Sequence, residues 1–103
     1  MFTGNEGEEF PLAIAAEWTA NYRKVNPGGI RAHFFGEKIL RKTFAQKSCV
    51  GIRMYYALDN LGVQQMIIVG VDKAGNDLYN GMIVERGSPC PPYCDGGGSP
   101  LNK

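Results

Sequence analysis

Between Cys49 and Val84 two strand-like runs, and a weaker third, are separated by turns of the form Asp-x-x-Gly. The run CVGIRMYYAL (49–58) leads into Asp59-Asn60-Leu61-Gly62, and VQQMIIVGV (63–71) leads into Asp72-Lys73-Ala74-Gly75. An Asp that opens a turn can accept a bond from the backbone two residues on. A Gly at the fourth position takes up positive φ with no Cβ to clash. The pattern predicts an antiparallel β-meander of about three strands, at 49–58, 63–71 and 77–85, the last weakened by Asn80 and Gly81.

Register decides which side chains share a face, because neighbouring residues of a strand point in opposite directions. Val50, Ile52, Met54, Tyr56 and Leu58 alternate cleanly. Pairing Leu58 with Val63 adds Ile67, Val69 and Val71 to that face. The other face then carries Gly51, Arg53, Tyr55, Met66, Ile68 and Gly70. A type I turn with a bulge at Gly62 is the alternative; it shifts the pairing by one residue and mixes the faces. The first register is preferred.

Upstream, a helix is expected over 11–25. Pro11 suits a first turn, Glu8 and Glu9 lie near the positive end of the helix dipole, and Ile14, Trp18, Tyr22 and Val25 form one apolar stripe. Asn26-Pro27-Gly28-Gly29 stops it. Residues 30–36 read as an aromatic connector. A second helix over 37–46 turns Ile39, Leu40, Thr43 and Phe44 inward and leaves Lys38, Arg41 and Lys42 in water. The expected fold is α+β: two N-terminal helices packed on the antiparallel meander, as one domain over 1–88 with a loose lead-in at 1–10. The segment 89–103 is too rich in Pro and Gly for a helix or a central strand, and reads as an irregular Pro/Gly/Cys tail.

A formal net charge of +1 gives the whole molecule no electrostatic address. Seven bases against one acid, Glu37, lie between Tyr22 and Lys47, and Glu6, Glu8, Glu9 and Glu17 lie before them with no base ahead of Arg23. Pairing between these blocks is the simple reading, and a polyanion contact the sharper one. The opening residues show no basic n-region or long apolar h-region, and no run reaches the ~20 apolar residues of a membrane span. With three cysteines, the expectation is a cytoplasmic protein with reduced thiols.

Cys90 and Cys94, spaced C-x3-C, could join Cys49 and His33 in a tetrahedral Cys3His zinc site. Zinc sites more often use paired knuckles, and Cys49 and His33 each stand alone, so a reduced pair or one redox-labile disulfide is the simpler reading. A Cys49–His33 nucleophile and base would need a third, orienting group. Asp72–Asp77 lacks the alternating ligands and closing Glu of an EF-hand, and Gly96–Gly98 has no Lys-Ser/Thr or helix after it. Phe34 and Phe35 beside Arg31 and His33 could stack a base, but read more simply as a hydrophobic plug.

Three segments carry a resemblance: AHFFG (32–36), CVGIRMYYALD (49–59) and VGVDKAGNDL (69–78), the last followed by PCPPYC (89–94). In order and spacing the chain resembles a family of small uncharacterised bacterial proteins of about this length. The resemblance implies a self-standing bacterial domain and carries over no catalytic residue. No candidate site gathers a nucleophile, a base and an orienter, so the expected role is a non-enzymatic protein-binding or assembly module without a cofactor. Its partner-binding face would be Arg53, Tyr55, Met66 and Ile68, too apolar for idle surface, meeting another protein or a second copy. The alternative is a metal-stabilised or thiol-based regulatory protein using Cys90 and Cys94 with Cys49 and His33. Membrane and nucleic acid are not expected partners.

Overall fold

A computed structural model describes residues 1–103. In chain order its elements are α1 (Leu12–Val25), β1 (Ala32–Phe34), α2 (Glu37–Phe44), β2 (Gly51–Leu58), β3 (Gln64–Val71), β4 (Ile83–Val84), β5 (Ser88–Cys90) and a closing 3₁₀ turn at Pro100–Asn102. The protein is α+β, with antiparallel pairing throughout. Its elements gather into two compact units, residues 1–7 with 35–87 and residues 8–34 with 88–103.

The first unit holds the meander, in strand order β2-β3-β4. β3 is central, and its last residues, with Val84, form the core: Ile68, Val69, Val71 and Val84 are all buried. α2 packs on β2 and β3. Thr43 on its inner side is fully buried, its hydroxyl donating to Ile39 O at 2.9 Å. Phe44, expected inward, is instead half exposed, since it lies one position round the helix from Thr43. The third strand is reduced, as Asn80 and Gly81 foretell. Asp77 bridges Val71, a turn closes with Gly81 N on Leu78 O at 2.9 Å, and only Ile83–Val84 pairs with β3. Phe2 N donates to Lys73 O at 2.9 Å, and the Glu6 carboxylate accepts from Thr3 N and Gly4 N.

Both turn glycines have positive φ, +81° at Gly62 and +88° at Gly75, and Asp59 and Asp72 cap their turns through backbone donors. The first turn settles the register. Gly62 N bonds Asp59 O, and Asp59 N bonds Val63 O, both at 2.9 Å. Asp59 and Val63 therefore face each other, with a left-handed Gly inside the loop, which is the type I turn with a bulge. Leu58 pairs with Gln64, Tyr56 with Met66 and Arg53 with Val69, one residue away from the preferred register. Arg53 and Tyr55 consequently share a face with Ile67, Val69 and Val71. Met66 and Ile68 lie on the opposite face with Ile52, Met54, Tyr56 and Leu58.

In the second unit α1 packs on the 3₁₀ turn at Pro100–Asn102. Arg23, in the last helical turn, donates to Leu101 O at 2.8 Å and to Lys103 O. Phe10 and Trp18 rings meet at 4.8 Å. The expected connector and tail pair with each other as a two-stranded ribbon, Ala32 opposite Cys90, His33 opposite Pro89 and Phe34 opposite Ser88. Pro89 is tolerated because a two-stranded ribbon has only edges. The tail is thus organised, with Cys90 and Cys94 joined in a disulfide.

Candidate functional site

The four residues expected to form one partner-binding face are divided by the bulge. Ile68 is only 2% exposed and belongs to the core, while Met66 is half-buried beneath the opposite face from Arg53 and Tyr55. Arg53 is already engaged within its own chain. Its Nη1 donates to Asp77 Oδ1 at 2.5 Å and to Gly75 O at 3.2 Å, and its guanidinium lies 5.7 Å from the Phe2 ring centre. Tyr55 Oη donates to the other oxygen of Asp77, also at 2.5 Å. The Tyr55 bond, then the Arg53 charge and bond, hold the Asp77 carboxyl below the usual carboxylate range. The same carboxylate raises the Tyr55 phenol and the Arg53 guanidinium above their ordinary values. This triad ties β2 to the segment after the second turn.

The bulge creates a different surface. Backbone N–H and C=O groups of a strand alternate in direction. With Asp59 bonded to Val63, the groups of Arg53, Tyr55 and Ala57 point toward β3, and those of Ile52, Met54, Tyr56 and Leu58 point out from the open edge of the sheet. The side chains of these same four residues share one face. Three are strongly exposed: Met54 at 52%, Tyr56 at 82% and Leu58 at 73%. An eight-residue edge strand with no Pro, no Lys and no internal bulge, whose one charge, Arg53, is paired with Asp77, has little of the usual protection against pairing.

The candidate zinc ligands are not brought together. Cys90 and Cys94 have given both sulfurs to their disulfide, whereas a zinc site needs thiolates. Cys49 lies in the first unit, a free and half-buried thiol donating to Gly51 O at 3.1 Å. His33 lies in the second unit on β1, its Nε2 under cover and without a hydrogen-bond partner. No group of three or more His, Cys, Asp or Glu side chains is arranged to hold a metal ion.

His33 and the disulfide do share a groove inside the second unit, of about 550 Å³, lined by Trp18, Tyr22, Tyr93 and Leu101. Arg31, two residues before His33, directs its Nη2 at Cys94 Sγ over 3.8 Å. Asp95 turns back on its own loop, accepting from Gly97 N and Ser99 N at 2.9 Å. In the sequence Asp77 figures only within the Asp72–Asp77 loop and Arg31 only beside Phe34 and Phe35. Both act through residues distant in the chain, and an isolated Asp or Arg carries no local mark of that. No helix is long and apolar enough to cross a membrane. No protein-family model, no curated protein and no solved structure matches this chain.

Proposed function

We propose that the unit containing the meander is a non-enzymatic self-assembly module, in which β2 pairs edge to edge and antiparallel with β2 of a second copy. The observation that carries this reading is the open edge of β2, where outward backbone groups and an exposed apolar stripe belong to the same residues. Unpaired backbone groups beside an apolar stripe favour an extended strand over a helix or a flat surface.

A second copy fits that edge. An antiparallel pair centred on Tyr55 sets Ile52 against Leu58 and Met54 against Tyr56, so each outward residue meets another outward residue. The stripe then continues unbroken from one copy to the next. The only charge on β2, Arg53, faces Ala57 of the other copy and stays neutralised by its own Asp77, so no like charges oppose.

The test is sedimentation at several concentrations, comparing the parent with Tyr56→Lys and Tyr56→Pro. The parent should associate. Both variants should be monomeric with unchanged circular dichroism, because the Tyr56 side chain is exposed and its N–H points away from β3. Loss of an aromatic interface anchor should weaken association by roughly 2 kcal/mol, about thirtyfold. A parent that stays monomeric throughout, or variants that associate as well as the parent, would overturn the reading.

A further inference from the structure

We propose that the Cys90–Cys94 disulfide is a redox-active pair that exchanges with the cysteines of an extended peptide lying in the aromatic groove of the second unit. Its value as a staple is small. The linked residues are four apart, and Pro91 and Pro92 already stiffen the segment between them, so a cross-link removes little further freedom from the unfolded chain. Its placement is that of a reactive group. Both cysteines line the groove, Cys90 as a buried residue at 6% exposure and Cys94 as a half-buried one with Arg31 Nη2 at 3.8 Å from its Sγ.

This asymmetry gives each sulfur a role. A substrate thiolate attacks Cys94 Sγ, the protein S–S bond breaks, and Cys90 departs as thiolate. A second substrate thiolate then attacks the substrate sulfur of the mixed disulfide and releases Cys94 as thiolate, which the Arg31 guanidinium stabilises. The substrate dithiol has been oxidised to a disulfide, the protein pair has taken up the two electrons, and the two protons are those of the substrate thiols. The reverse sequence reduces a substrate disulfide, with Cys94 attacking and Cys90 resolving. Trp18, Tyr22 and Tyr93 supply apolar walls for an extended segment.

The experiment uses the full chain and a short synthetic peptide carrying two cysteines flanked by apolar residues. Oxidised protein should oxidise the reduced peptide faster than an equal concentration of oxidised glutathione does. In the reduced protein, alkylation mapped by mass spectrometry should modify Cys94 before Cys90 and Cys49. Arg31→Gln should slow that modification about tenfold, as expected for a thiolate that loses its cation. Cys90→Ser should trap the oxidised peptide on Cys94, and Cys94→Ser should trap none on Cys90. Should Cys90→Ser fail to fold, the alkylation order and the Arg31→Gln rate decide the matter in unmutated cysteine background. Peptide oxidation no faster than by glutathione, Cys90 reacting first, or an Arg31→Gln rate equal to the parent's would each overturn the proposal and leave a structural cross-link.

Discussion

Gln46 fastens the end of α2 to the segment entering β4, and a double-mutant cycle through it tests that the meander is packed as described. Its Nε2 donates to Thr43 O at 3.0 Å, and its Oε1 accepts from Met82 N at 2.9 Å. The Met82 bond is partly shielded from water, so Gln46→Ala strands a backbone donor at a cost of about 1–2 kcal/mol. Gly81 lies under the same carboxamide. A Cβ added there would overlap Gln46 Oε1 and approach Leu78 O to 3.2 Å. Gly81→Ala must therefore displace the carboxamide and lose the same Met82 bond. Reduced freedom of the unfolded chain returns about 0.4–1 kcal/mol, leaving a net destabilisation near 1 kcal/mol. With Gln46 already replaced by Ala that obstruction is gone, the unfolded-chain gain is set only against the remaining 3.2 Å approach to Leu78 O, and Gly81→Ala should cost almost nothing more. Urea denaturation of the four proteins should give a coupling of about 1 kcal/mol or more, the double variant matching Gln46→Ala alone. Effects that add to within about 0.5 kcal/mol would show that the two sites do not share the carboxamide.

The remaining expectations concern the turns and the polar triad. Gly62→Val and Gly75→Val should each destabilise the first unit by about 1 kcal/mol or more, since a β-branched residue resists positive φ; melts equal to the parent's would contradict those conformations. Because Asp77 titrates lower in the folded protein, its stabilisation is present above the unfolded value of about 3.9 and lost as pH falls through the folded one. Asp77→Asn should flatten that acid limb in thermal melts across pH, and an unchanged limb would place the acid sensitivity elsewhere. Tyr55 has the opposite sign: its raised value means stability held below about pH 10 and lost as pH rises through the folded value. Phenolate absorbance should accordingly show one late-titrating tyrosine that Tyr55→Phe removes.

The meander was readable because its determinants are local. An Asp and a Gly three residues apart carry the turn in their own conformational preferences, and both glycines adopt the expected left-handed geometry. The helices were equally local, α1 and α2 each lying within the expected span. The ribbon of β1 and β5 was not readable. It joins AHF near the middle of the chain's first half to SPC close to its end, and neither segment has the length or alternation of a strand. Such pairing is decided by what the two pieces find in each other, here including the bond from Arg31 N to Cys90 O at 2.8 Å. The Pro and Gly content of the tail pointed correctly away from a central strand, and a two-stranded ribbon is the one sheet in which that content does no harm.

The partner-binding face shows how far a single residue of register reaches. Alternation placed Ile52, Met54, Tyr56 and Leu58 together correctly, because that is a property of one strand. Which residues of β3 join them depends on whether Val63 closes the loop or opens the next strand, and the string Asp59-Asn60-Leu61-Gly62-Val63 is compatible with both. The decision comes from two backbone bonds, Gly62 N to Asp59 O and Asp59 N to Val63 O, and one from Val63 N to the Asp59 carboxylate. They favour the bulge because it satisfies Val63 N and gives Gly62 the positive φ that only glycine takes readily. The same bonds bury Ile68, turn Arg53 and Tyr55 inward onto Asp77, and leave Tyr56 standing outward beside its own unpaired N–H. Assembly and register meet in this hairpin: with Asp59 bonded to Val63, the outward backbone groups and the exposed side chains on the open edge belong to the same four residues.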